Sequence, residues 1–216
     1  MTTIGILALQ GAVAPHREKL AALGERTVTV RTRAELEAVD GLILPGGEST
    51  TLLNLIDHYG LWEPLRAFGA GRPIWGVCAG AILVAERVEN PAQRSLGLVP
   101  IAVCRNAYGR QNESFVAPLR VSLPGEPPAE LDGVFIRAPR ITGAGEGTLV
   151  FAEHGGFPVA LQAGMHLITT FHPELSGSTA VHRHFVRLCA DGKAPRLARS
   201  AERSAPPRLS GEMRGS

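Results

Sequence analysis

The chain has 216 residues, 44% hydrophobic and 19% charged, with a formal charge of +2, which suits one sizeable domain and argues against a second. Basic residues are scattered without forming a stripe, so no nucleic-acid partner is expected, and no apolar run approaches the roughly 20 residues that cross a bilayer. Cys78, Cys104 and Cys189 are too widely spaced for a disulfide framework or a zinc site, and with a start, Met1-Thr2-Thr3-Ile4, that lacks a signal-like core they predict a cytoplasmic protein.

In chain order, Ile4-Gly5-Ile6-Leu7-Ala8-Leu9 is a nearly continuous apolar run, followed by a helical pattern from about Pro15 to Leu23 and by Thr27-Val28-Thr29-Val30. This alternation predicts strand, crossover helix and parallel strand, with the strands buried on both faces. Gly41-Leu42-Ile43-Leu44 is a second apolar run; it ends in Pro45-Gly46-Gly47-Glu48-Ser49-Thr50 and leads into a helix carrying Leu52, Leu53, Leu55 and Ile56. Pro73 to Val77 is a third strand, turning at Cys78 into a helix expected from Ala79 to Val88. Three strand ends therefore deliver Gln10-Gly11, Gly46-Gly47 and Cys78 to the carboxyl edge of a doubly wound α/β sheet, where ligands bind.

Beyond Leu98 the pattern becomes strand and turn: Val99 to Arg105, Phe115 to Ser122, Gly133 to Arg137, Leu149 to Glu153, Pro158 to Gln162 and His166 to Phe171. This half reads as mixed or antiparallel, closed by a helix from Thr179 to Ala190. The expected architecture is a mostly parallel sheet with helices on both faces, forming one domain over residues 1–192. The segment 193–216 has six basic and two acidic residues and few large apolar ones, and is expected to be disordered.

Chemistry concentrates at three places. Cys78 lies in Gly76-Val77-Cys78-Ala79-Gly80, where small neighbours permit a sharp strand-to-helix turn that exposes a nucleophile. His172-Pro173-Glu174 ends a strand; residues two apart share a face of an extended segment, so the carboxylate can brace the imidazole as it takes the thiol proton. Gly46 and Gly47, with the amide of Ala79, can supply oxyanion donors. His182 and His184 are two apart on a helix and make a poor metal pair, while His16, His58, His154 and His166 have no evident partners; all six are expected to be structural or surface residues, and Cys104 and Cys189 core filling. No metal-ligand spacing or P-loop is present, and no cofactor is expected.

These elements together resemble the class I, triad-type glutamine amidotransferases of flavodoxin-like fold, and within them the glutaminase subunits of pyridoxal 5'-phosphate synthase. The likeness rests on Leu9-Gln10-Gly11-Ala12-Val13, Leu42 to Thr51, Cys78-Ala79-Gly80, Arg105-Asn106 with Gly109-Arg110-Gln111, Phe135-Ile136-Arg137-Ala138-Pro139, and Phe171-His172-Pro173-Glu174-Leu175. Ala81-Ile82 follows the elbow where other branches usually carry a glutamine two residues beyond its second glycine. The resemblance implies Cys78 as nucleophile, His172 as base and Glu174 as its orienter, with Gly47, Glu48, Ser49, Arg105, Ile136 and Arg137 holding L-glutamine. It further implies ammonia transfer to a barrel-shaped synthase subunit in a hetero-oligomer, with Gln10 near the docking face. The residues alone leave open another cysteine hydrolase on the same sheet, or a non-catalytic regulatory subunit.

Overall fold

Strands covered on both faces need apolar side chains on both, and the wholly apolar runs of the sequence become the middle of the sheet. The computed structural model describes residues 2–105 and 114–192. Its first half contains β1 (Thr3–Leu7), α1 (Val13–Ala22), β2 (Arg26–Val30), α2 (Arg33–Glu37), β3 (Gly41–Leu44), α3 (Ser49–His58), α4 (Trp62–Gly69), β4 (Ile74–Val77) and α5 (Ala79–Val84). The second contains β5 (Ala85–Glu89), β6 (Val99–Cys104), β7 (Ser114–Val121), β8 (Ala129–Ile136), β9 (Arg140–Ala144), β10 (Thr148–His154), β11 (Phe157–Ala163), β12 (His166–Thr169) and α6 (Ala180–Gly192).

The main sheet has seven strands in the order β10-β11-β12-β4-β3-β1-β2. Pairing is parallel from β2 across to β12 and antiparallel where β11 and β10 extend it. β3, β4 and β12 are buried at every position. Helices α2 to α5 cover one face through Leu36, Leu52, Ile56, Leu65, Phe68 and Leu83. On the other, Leu20 of α1 and Phe185 and Cys189 of α6 join Ile4, Ile6 and Trp75. Two smaller sheets, β5-β6-β9 and β7-β8, complete the second half. Among the described residues no helix is long and apolar enough to cross a membrane.

Several elements depart from the sequence reading. The helix after Cys78 ends at Val84 rather than Val88, because Ala85 is extended (φ −60°, ψ 151°) and the following residues pair with β6; strand pairing overrides a helical pattern here. α2 and α4 were not expected, and neither was β9, which pairs antiparallel with β6. The segment 193–216, expected to be disordered, lies outside the described residues, as do Asn106 and the Gly109-Arg110-Gln111 motif.

Gly80 lets α5 lie directly on β3. A Cβ there would stand 2.0 Å from the Leu44 carbonyl oxygen, and since backbone cannot rotate out of the way as a side chain can, one of the two elements would have to move. Gly80→Ala is therefore expected to lower stability by about 1–3 kcal/mol, seen as a drop of several degrees in a thermal melt; an unchanged melting temperature would show that the helix has room to shift.

Candidate active site

The parallel strands β1, β3, β4 and β12 end at one edge of the sheet, and the residues that follow them meet there. Cys78 follows β4 with φ 49° and ψ −102°, at the N-cap of α5. This backbone conformation is strained for a non-glycine residue. It is held by Cys78 N–H donating to Thr169 O (2.8 Å) and by Ala81 N–H donating to Cys78 O (3.0 Å). The thiol lies 3.8 Å from the carbonyl oxygen of Ile136. Ala79, at the first helical position, has an N–H with no intrahelical partner.

His172 follows β12 and donates its backbone N–H to Val134 O at 2.8 Å. Pro173–Leu175 form a single 3₁₀ turn, which carries Glu174 back under the imidazole. His172 Nδ1–H donates to Glu174 Oε1 at 2.7 Å, and both side chains are buried. Burial pulls the His172 pKa down, but the Cys78 sulfur and the Glu174 carboxylate outweigh it, and the pKa is pushed up to about 10. Burial also opposes the Glu174 charge; the His172 hydrogen bond wins, and the carboxyl lies below its ordinary value. A thiol, an imidazole and an orienting carboxylate so arranged can run acyl transfer, the imidazole keeping the thiol proton for the leaving group.

The loop after β3 lies against this imidazole. A Cβ on Gly46 would come within 2.3 Å of His172 Cε1, so only glycine fits. The Gln10 side chain packs on Gly47, and its amide, with nitrogen toward Glu48 O and oxygen toward Glu48 N–H, makes two 3.1 Å hydrogen bonds. Gln10 thus braces the loop.

The other expected substrate residues flank this centre. Glu48 is the N-cap of α3, accepting from Thr50 N–H (3.0 Å), Thr51 N–H (2.7 Å) and the Thr51 hydroxyl (2.8 Å). Its slight burial would raise its pKa, but these hydrogen bonds prevail and lower it to about 2. Arg105 Nη2 donates to Thr50 Oγ1 at 2.8 Å and lies 3.5 Å from Glu48 Oε1. Ser49 Oγ donates to Gln93 Oε1 at 3.0 Å. Arg137 is exposed, with φ 45°. The edge thus gathers Gln10, Gly46, Gly47, Glu48, Ser49, Cys78, Ala79, Ile136, Arg137, His172 and Glu174, with Arg105 at its rim.

His16, His154 and His166, expected to have no evident partners, do have them. His16 and His182 are buried and joined by a 3.0 Å contact between His16 Nδ1 and His182 Nε2. His166 Nδ1 accepts from Ile74 N–H at 3.2 Å, His184 pairs with Gln162 at 2.8 Å, and His154 lies against the rings of Phe115 and Phe135. His16 and His182 are separated by 166 residues in sequence, and no local pattern announces the contact. Cys189 is core, as expected, while Cys104 is only half-buried.

A family model described as the SNO glutamine amidotransferase family matches residues 6–191. The pyridoxal 5'-phosphate synthase subunit PdxT of Koribacter versatilis is 47% identical over 191 residues, covering 88% of this chain and 97% of that protein. The PdxT of Geobacillus kaustophilus is 46% identical over 191 residues, covering 88% and 96%. Among solved structures, one described as a glutamine amidotransferase superposes with a TM-score of 0.78 at 41% identity, covering 87% of this chain and 98% of that one. A Thermoplasma acidophilum protein described as a component of GMP synthase has a TM-score of 0.66 at 20% identity, covering 88% and 95%, a likeness of fold alone.

Burial lowers the pKa of both His16 and His182 to about 3. Each therefore stays neutral in the folded protein but protonates near 6.5 once unfolded, so stability contributed above pH 6.5 is lost progressively as pH falls toward 3. Denaturant midpoints measured across this window should fall with pH, and the slope should be shallower in a His16→Leu/His182→Leu double variant; an equal slope would mean that other groups control acid unfolding.

Proposed function

The chain belongs to the SNO glutamine amidotransferase family, and from that membership we propose that it is the glutaminase subunit of a pyridoxal 5'-phosphate synthase, hydrolysing L-glutamine to L-glutamate and ammonia within a domain spanning residues 1–192. The observation that carries the mechanism is the buried 2.7 Å bond from His172 to Glu174 beside a cysteine on a strained turn. Cys78 passes its proton to His172, and the thiolate attacks the side-chain amide carbon of glutamine. Amides of Gly46, Gly47 and Ala79 receive the oxyanion of the tetrahedral intermediate. His172 returns the proton to the departing nitrogen, which leaves as ammonia. A water deprotonated by His172 then splits the thioester and releases glutamate. Glu174 remains charged throughout, stabilising the imidazolium and fixing its tautomer.

Gly47, Glu48, Ser49, Arg105, Ile136 and Arg137 form the glutamine site. An arginine can grip the α-carboxylate through paired hydrogen bonds and a carboxylate suits the α-ammonium. Because Glu48 already caps α3, its position is fixed before substrate arrives. The ammonia passes to a barrel-shaped synthase subunit in a cytoplasmic hetero-oligomer, which docks near Gln10. The brace between Gln10 and the Gly46-Gly47 loop offers a path by which docking adjusts the oxyanion site.

Glutamate release should be low for this chain by itself and rise when the synthase subunit is added. Cys78→Ala should abolish it in the complex, and retained activity would overturn the mechanism. Gly46→Ala, which pushes a methyl group into the His172 ring, should lower kcat by about 100-fold, since a misplacement of about 1 Å in a catalytic group costs that much; steady-state kinetics on the complex check this, and an unaffected kcat would remove the loop from the mechanism.

A further inference from the structure

Behind the triad is a buried histidine pair that the mechanism above does not use. His172 occupies one oxygen of the Glu174 carboxylate, Oε1. The other, Oε2, is buried with no partner at hydrogen-bond distance, and His16 Nε2 faces it from 3.6 Å, both side chains being fully buried. On its far side His16 meets His182, Nδ1 to Nε2, at 3.0 Å. We propose that His16 is a positioning residue for glutamine hydrolysis: it presents Nε2–H to the outer oxygen of Glu174, and His182 fixes the tautomer that makes this possible. The inference rests on the glutaminase reading.

The direction of the proton follows from the charges. Both rings are neutral, so each has one N–H and one lone pair. If His16 donated to His182 from Nδ1, its bare Nε2 would face a carboxylate in a fully buried site, where repulsion between a lone pair and an anion is weakly screened. With His182 donating from Nε2, His16 keeps its proton on Nε2 and aims it at Glu174. The groups acting on this pair are Glu174 and His172 on the triad side and Lys19, on α1, whose charge opposes protonation of His182. Lys19 itself donates to the Ser176 carbonyl just beyond the 3₁₀ turn.

Rigidity comes from β4. The Trp75 ring meets both imidazoles edge-on, at 5.5 Å from His16 and 4.8 Å from His182, and its Nε1–H donates to Thr169 Oγ1 at 3.2 Å. The strand that presents the nucleophile therefore also anchors the rings behind the base. A carboxylate held by one oxygen can pivot about its last bond; held by both, it keeps its charge on His172 Nδ1 as the imidazolium forms and disappears. At metal sites, partners placed behind a ligating histidine change activity by about 10- to 100-fold, and a loss of that order is expected here.

The test uses the full chain in complex with the synthase subunit. His16→Leu should lower kcat about 10- to 100-fold with KM for glutamine within about twofold. His16→Gln, which retains a donor at similar reach, should recover most of that loss. The alkaline limb of the kcat profile should also move to lower pH in His16→Leu, because a loosened Glu174 holds the His172 proton less firmly, a change that simple loss of packing would not produce. Unchanged kcat in a folded His16→Leu, or equal losses in the two variants with an unmoved alkaline limb, would overturn the proposal. Should His16→Leu fail to fold, ¹⁵N-histidine spectra of the unmodified protein decide: an Nε2–H tautomer at His16 supports the proposal and an Nδ1–H tautomer overturns it. An unmodified complex without glutaminase activity would instead overturn the glutaminase reading itself.

Discussion

The hydrogen bond from Cys78 N–H to Thr169 O, 2.8 Å long, continues the parallel ladder in which Leu167, Ile168 and Thr169 of β12 lie beside Trp75, Gly76 and Val77 of β4. It ties the residue that breaks out of β4 to the end of the strand that carries the histidine. A register shift of one position would turn every side chain of β12 to the opposite face and carry His172 away from the thiol. Burial on both faces, with Ile168 in one core and Leu167 in the other, makes such a slip costly. The geometry of the centre is thus inherited from strand registry, and the side-chain contacts refine it.

Around that ladder the structure tolerates features that are unfavourable in isolation. Cys78 has a positive φ, and Glu174 carries charge in a fully buried position. Neither would persist on a mobile loop. Each is held by its surroundings: the cysteine donates from its N–H and accepts at its C=O, and the carboxylate accepts from His172 on one side while the ring of His16 faces it from 3.6 Å on the other. Strain and burial concentrate where chemistry needs a fixed geometry, and the apolar cores on either side supply the stability that sustains them.

Much of this was legible in the sequence because it is local. The apolar runs marked the central strands, Gly-x-Cys-x-Gly the sharp turn, and His172-x-Glu174 the imidazole with its carboxylate. α2 was legible in principle: Thr32 and Glu35 form a reciprocal capping box, a signal four residues long. Long-range features were not. The helix after Cys78 stops at Val84 because β6, more than ten residues ahead, captures the segment. Glu48, expected to hold substrate, is also a helix cap, its carboxylate accepting from the first amides of α3. His16 has no evident partner in the sequence, and only the packing of α1 beside α6 shows its ring turned inward.

The place of β12 in the sheet has a consequence for how the protein comes into being. It is the last strand among the described residues, yet it lies between β4 and β11, near the middle of the sheet. A nascent chain that has already exposed the β4 segment has no partner on that side until residues 166–169 are made, so Cys78 is synthesised long before His172. The strand that fills this slot also carries, three residues beyond its end, the imidazole proposed as the base, so the pairing of β12 with β4 and the approach of His172 to Cys78 come about together.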